Sequence, residues 1–428
     1  MSENSKMRTA WMIWGLAALF YFSDYLARVA PGVMHRFLQA EFGINEVGFA
    51  TLTASFYIPY VLMQIPVGLM VDRLSIRGLL TVMSMITAVG CCIFGFSDGL
   101  LMASLGRMLI GFSAAFAFVC SLRLATSWFP PMMLGLLAGL TQALGMLGAA
   151  SGEAPVSLLV SHIGWRDTLF VMAFMFMMLS MLLYRFIRDN PSHKHVQKLE
   201  KSKQLSILSS LKRVLSHRQT WINALYAGFV FDPTAVIGES LGPAYLQFGR
   251  GLSAHQAAFA TGLIFIGWGI SGPFTGWLSD KLGRRKPLMV ASAICGIGLT
   301  ALFVFSPHLT PSMIYVIFFA YGLTNTGVAI AYAVSTEIQT REVVGTAIGF
   351  TNMASIFVGA FMQPLVGKFV DMAAGPRSYH VETLLLTDFQ AGIWLLPACS
   401  GVALILALLV KETYCRPIHI DSVRTQAV

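Results

Sequence analysis

Asp24 and Arg28 stand four residues apart inside the stretch FYFSDYLARVAPGVM, within an apolar run that begins at Ala10. The i, i+4 spacing puts both on one helix face with the acid N-terminal, the better orientation for a helical ion pair. A charge at the centre of a lipid-embedded helix costs about 2.5–3.5 kcal/mol on insertion scales, so ionisable groups in such a place are functional candidates by default. Two uses are open: an internal salt bridge, or a cavity-facing pair that opens when a solute or proton arrives. The planar guanidinium of Arg28 offers parallel donors suited to a carboxylate, so it favours an anionic group on a substrate. Pro31 denies a backbone donor to the carbonyl of Ala27 and offers a point of bending.

Other apolar runs carry their own candidates. In YAGFVFDPTAVIGESLGPAY, Asp232 and Glu239 lie seven residues apart, about two turns along one face, among Pro233, Gly238, Gly242 and Pro243, which mark a bending helix. Arg107, four residues before Gly111, lies about 10 Å inside its run. It has either a structural or coupling role, with an acidic partner from the first helix, or a direct substrate contact. The proton-coupling candidates are Asp24, Asp232, Glu239 and Arg107. The substrate-contact candidates are Arg28, Asp24 and Asp232 with the neutral groups Tyr57, Gln142, Asn325 and Asn352. Glu153 is a further ionisable group, in a glycine-rich run whose bland reading is helix packing.

These residues need a membrane-spanning scaffold to position them. The chain has 428 residues, 56% hydrophobic and only 11% charged, far from the roughly 25% charged residues of a soluble domain. Apolar runs of about 20 residues, enough to cross a bilayer, recur twelve times: 11–34, 47–71, 78–97, 100–125, 132–160, 166–187, 220–246, 255–278, 288–306, 312–336, 344–369 and 390–410. The first is longer than a signal-peptide core and lacks a small-residue cleavage site, so it is expected to stay in the mature chain. The net charge of +9 does not point to nucleic acid. With the N-terminus cytoplasmic, 22 of the 29 Lys and Arg fall at cytoplasmic segments and five at external ones, which predicts both termini inside. The six cysteines show no metal-ligand spacing, and the chain has no phosphate-cradling loop and no nucleophile with a base. No metal, no cofactor and no enzymatic activity are expected.

A basic segment, 188–219, divides the runs into six and six, giving bundles at 1–187 and 220–428. Its bland reading is a solvated linker near anionic lipid. The halves echo each other: GLMVDRLSIRG begins at Gly68 and GWLSDKLGRRK at Gly276, with Asp72 and Asp280 in register 208 residues apart. The second copy resembles the loop signature of the major facilitator superfamily at each defining position, and the first is looser at Ser75 and Ile76. The resemblance extends over all twelve runs and implies an all-α membrane protein of two pseudo-symmetric six-helix bundles. It places the first helix of each bundle around a central cavity. Gly68, Asp72, Arg73 and Arg77, and Gly276, Asp280, Arg284 and Arg285, become gating candidates. Asp72 is expected to face the start of helix eleven and Asp280 the start of helix five when the cytoplasmic ends close, where an anion meets helix N–H groups.

SLGRMLIGFSAAFAF resembles the arginine motif of helix four in that superfamily. TQALGMLGAASGEAPVSLL resembles the glycine motif of its exporters, without the central Gly-Pro. DYLARVAPGVM is similar to the helix-one pattern of its organic-anion symporters, which aligns Arg28 with their arginine, and also resembles transporters of intracellular bacteria, some of which carry amino acids. The expected protein is a monomeric, proton-coupled importer in the inner membrane, working by alternating access. Its partners are protons, lipid and a small carboxylate-bearing solute: an organic acid, a hydroxycarboxylate siderophore or an amino acid. A proton-driven exporter of drug or siderophore type and a non-transporting membrane receptor are the alternatives.

Overall fold

The computed structural model describes residues 3–130, 133–188, 207–340 and 343–416. Residues 189–206 of the expected linker, and the side chains of Asp72 and Arg73, lie outside the described residues. Within them the structure is helical throughout: α1 (Glu3–Val29), α2 (His35–Phe42), α3 (Glu46–Ala54), α4 (Tyr57–Arg73), α5 (Ile76–Gly95), α6 (Leu100–Trp128), α7 (Leu134–Phe186), α8 (Ile207–Ser216), α9 (Arg218–Pro233), α10 (Ala254–Leu282), α11 (Lys286–Phe305), α12 (Pro311–Thr324), α13 (Gly327–Glu337), α14 (Val344–Ala374), α15 (Leu386–Ile393) and α16 (Leu395–Leu409). Eight helical stretches among the described residues are long and apolar enough to cross a membrane, two of them the joined pairs α12–α13 (Pro311–Glu337) and α15–α16 (Leu386–Leu409). One of these, α7, contains two crossings, because Gly164 at φ 83° turns the chain back. Three further spans are broken: α1 with the 3-10 turn Ala30–Met34, α3 with α4, and α9 with the π-helical stretch Thr234–Leu241. Together these make the twelve spans of two six-helix bundles.

Local chemistry sets the breaks. Asn45 caps α3 by accepting from the N–H of Gly48 at 3.0 Å. Ser75 caps α5 in the same way at 3.1 Å, and Ser253 with Gln256 forms a capping box at α10. Small residues then bring helices together. A side chain at Gly111 would overlap the carbonyl of Phe56, and one at Gly322 would overlap the carbonyl of Ile264. Phe56 and Ile264 are 208 positions apart, the interval of the paired loop signature, so helix-on-backbone packing repeats between the halves.

The two bundles meet toward the face opposite the termini, here called the far face. There Gly367 of α14 lies against the backbone of Glu46 and Gly32 against that of Ser240. The deepest of the cross-bundle bonds described below joins Gln64 to Asn352 at 2.6 Å. Nearer the termini, Gly68, Gly139, Gly276 and Gly345 face open space. Among the described residues the halves are therefore closed on the far face and parted on the termini face.

Candidate functional site

Arg28 sits where the bundles touch, one turn above Pro31. Its side chain is ringed by Tyr25, Phe56, Tyr57, Tyr60 and Phe231, with ring centroids 5.1–5.9 Å from the guanidinium carbon, a cage suited to a cation. Glu239 of the opposite bundle approaches Arg28 Nη2 at 3.0 Å, with the two side chains 3% and 1% exposed. Tyr57 donates its hydroxyl to the other oxygen of Glu239. The ion pair is close but poorly aligned: Nε and Nη2 of Arg28 and Oε1 of Glu239 have no hydrogen-bond partner of good geometry. The Nε/Nη2 edge of a guanidinium is where a carboxylate or sulfonate binds with two parallel bonds.

The expected Asp24–Arg28 pair is corrected here, since the counter-ion is Glu239. Asp24 is buried inside its own bundle beside Thr87, and both its oxygens lack hydrogen-bond partners. The long arginine side chain reaches across to the other bundle while the short aspartate cannot follow. Asp232 behaves alike: it is buried beside Cys399 and Tyr321 in the second bundle with both oxygens unpartnered. Asp24 and Asp232 are themselves 208 residues apart, a signal in the sequence that they occupy equivalent places. The expectation that Asp232 and Glu239 share a face also fails. Each i→i+5 turn of the π-helical stretch between them takes in an extra residue, so seven residues no longer close two turns.

Arg107 is buried and has no acidic partner among the described residues. Its Nη1 donates to the carbonyl of Ala27 at 3.0 Å and its Nη2 to that of Arg28 at 3.1 Å, with a longer bond to Thr53 at 3.4 Å. The carbonyl that Pro31 leaves without a backbone donor is thus satisfied by Arg107, which holds the bend beneath Arg28.

Toward the parted face, half-buried polar groups continue from Arg28. Tyr21 donates to Gln142 at 3.3 Å. Tyr332 donates to Asn352 at 2.7 Å, and Asn352 donates to Gln64 at 2.6 Å. On the far-face side of Arg28, by contrast, the buried Gln363 donates to the carbonyl of Ala235 at 2.7 Å and accepts from Thr53 at 3.0 Å. Of the expected contacts, Arg28, Tyr57, Gln142 and Asn352 are brought together. Asn325 is not, because it is buried behind span seven and donates to Thr234 at 2.6 Å. Sequence reasoning missed the cage of Tyr25, Phe56, Tyr60 and Phe231. The signal was present as Tyr21/Tyr25 and Tyr57/Tyr60 at helical spacing, but aromatic residues there also read as packing. Glu153, fully buried with both oxygens unpartnered, lies on the seam against Gly262 of α10.

At the termini face, Asp280 pairs with Arg285 of its own loop at 2.7 Å. Arg285 also binds Ser279 at 2.8 Å and Glu337 at 2.8 Å, while Arg284 is exposed. Arg77 lies over the ring of Tyr184 at 4.2 Å. In this open arrangement Asp280 serves its own bundle. The glycines of span five, Gly145, Gly148 and Gly152, pack against Tyr21, Phe22 and Leu26 of α1, which is the packing role expected of them.

The family model described as Major Facilitator Superfamily matches residues 13–364. The probable sulfoacetate transporter SauU of Cupriavidus necator is 26% identical over 402 residues, covering 89% of this chain and 91% of that protein. The membrane sensor protein UhpC of Salmonella typhimurium is 26% identical over 371 residues, covering 81% of each. Among solved structures, a bacterial homolog of the human lysosomal transporter Spinster, inward-facing and occupied, superposes with a TM-score of 0.73. It is 16% identical and covers 93% of this chain and 96% of that one.

Proposed function

The chain belongs to the major facilitator superfamily, and from that premise we propose that it is a secondary active transporter of small organic anions, with Arg28 as the anion contact and protons as the coupling ion. The observation that carries this reading is the caged Arg28, whose bidentate edge lacks an aligned partner although the residue is buried. A buried cation with unused donors is costly unless an anion completes it. The relative named for sulfoacetate, which bears both a carboxylate and a sulfonate, supports the same class of solute.

Proton coupling follows from the competition at this edge. A solute anion that takes Nε and Nη2 displaces Glu239, and an ionised carboxylate left buried and unpaired would cost several kcal/mol. Glu239 can step aside when it carries a proton, so proton and anion enter together. Of the coupling candidates, Glu239 is the one in contact with Arg28, whereas Asp24 and Asp232 lie inside their own bundles. Import is the expected direction, with the termini face cytoplasmic, as the distribution of Lys and Arg predicts. The protein then resides in the inner membrane as a monomer, with the 1–187 and 220–428 bundles joined by the 188–219 linker. The loop residues Asp72, Arg73, Asp280, Arg284 and Arg285 close the cytoplasmic ends in the opposite state.

A second reading is a receptor that binds an anion without moving it, and the sensor among the relatives favours it. The test is binding followed by exchange. Purified protein is screened with sulfoacetate and other short organic acids for thermal stabilisation, then reconstituted in liposomes for exchange of the stabilising acid. Stabilisation by hydrophobic cations and by none of the acids would remove the anion reading. Stabilisation without exchange would assign the receptor.

A further inference from the structure

On the far face, the last turns of α14 close onto the start of α3. Asp371 Oδ1 accepts from the N–H of Glu46 at 3.1 Å and its Oδ2 from the N–H of Val47 at 3.2 Å. These are first-turn donors that no carbonyl within α3 can satisfy, at the end of the helix where a negative charge is favoured. The cap supplied by the same bundle, Asn45, reaches Gly48, and the opposite bundle completes the remaining two. Gly367, one turn before Asp371, makes the approach possible, since a Cβ there would meet the Glu46 carbonyl oxygen at 2.9 Å.

A second pair of bonds crosses beside the first. The amide of Gln39 donates to the Ser378 carbonyl at 3.3 Å and accepts from the Val381 N–H at 2.9 Å. Gln39 is held in place by Glu46, which accepts from it at 2.7 Å and is also contacted by His35 at 3.1 Å. The His35 ring stacks on Phe49 with centroids 3.6 Å apart. One bundle thus presents a fixed socket and the other a carboxylate and a strand of backbone. None of these cross-bundle bonds survives a rotation that parts the far face.

We propose that Asp371 is a far-face latch that works in reciprocity with Asp72. With the far face closed, the end of span eleven caps the start of span two. With the termini face closed, the end of span two, at Asp72, caps the start of span eleven as the loop signature predicts. The same two helices exchange caps at opposite ends, so each closed state is held by a carboxylate on helix N–H groups, and the balance of the two caps sets the resting population. This goes beyond the transport reading and needs no substrate to test.

Hydrogen–deuterium exchange on the full chain in lipid nanodiscs reads both ends at once. Asp371→Asn is expected to raise exchange of amides in 44–50 and 376–384 by about fivefold, the factor for a cap worth about 1 kcal/mol. It is expected to lower exchange at the opposite ends of the same spans, in 64–71 and 344–352. Asp72→Asn is expected to do the reverse at all four segments, and the double variant to return toward the parent. Gln39→Ala, which keeps Asp371, is expected to move the same segments as Asp371→Asn and serves if that variant does not fold. Faster exchange confined to 44–50 would reduce Asp371 to a local cap and overturn the proposal. So would a double variant displaced further than either single one.

Discussion

Replacing Arg28 by lysine keeps the charge and removes the fork. In the structure the guanidinium fills a cage of five aromatic rings and turns a bidentate edge toward the place of Glu239. Lysine can still meet Glu239 as a point charge, so the buried ion pair and the fold are retained. What it loses is one of the two parallel bonds to a solute anion. A hydrogen bond to a charged group contributes about 1.5–3 kcal/mol, which corresponds to roughly 10- to 150-fold weaker binding. Titration of the purified variant with sulfoacetate, or with the acid that stabilises the parent most, measures this directly, with melting temperature as the control for folding. A dissociation constant within about twofold of the parent would refute the bidentate argument and leave Arg28 as a structural partner of Glu239.

Three further substitutions probe the surrounding links. Glu239→Gln removes the internal competitor; anion binding near pH 8 should tighten by about tenfold and lose its improvement at lower pH, whereas an unchanged pH profile would exclude Glu239 from coupling. Arg107→Gln strands carbonyls at the bend of span one, each costing about 1–3 kcal/mol, and should lower the melting temperature by several degrees. Pro31→Ala in that background restores a donor to Ala27 and should recover part of the loss, and no recovery would break the link between proline and arginine. Gly111→Ala forces span four off the carbonyl of Phe56 and should destabilise the protein by about 1–3 kcal/mol, read as a lower midpoint in thermal unfolding; a neutral result would mean the helices separate freely there.

Much of the fold was legible because lipid imposes it. Uninterrupted apolar runs, the basic bias of alternate loops and the 208-residue echo between Gly68 and Gly276 lead to twelve spans in two halves. The residues of the candidate site were legible by type, since Arg28 in an apolar run has few uses. Their partners were not, because pairing depends on which helices cross. Asp24 is near Arg28 in sequence and turned away from it in space, while Glu239, 211 residues on, closes on it. Helical arithmetic failed between Asp232 and Glu239, where π turns change the period. For Arg107 the sequence held the answer in Pro31, yet only the structure shows that the orphaned carbonyl and the guanidinium meet.

In the proposed function, Arg28 binds an organic anion that the protein carries across the membrane. Counterflow in liposomes preloaded with unlabelled short organic acids tests it most directly. Transient accumulation of at least one labelled acid is expected for the parent protein, severely reduced by Arg28→Lys. Saturable binding of that acid without accumulation, or accumulation that Arg28→Lys leaves intact, would contradict it.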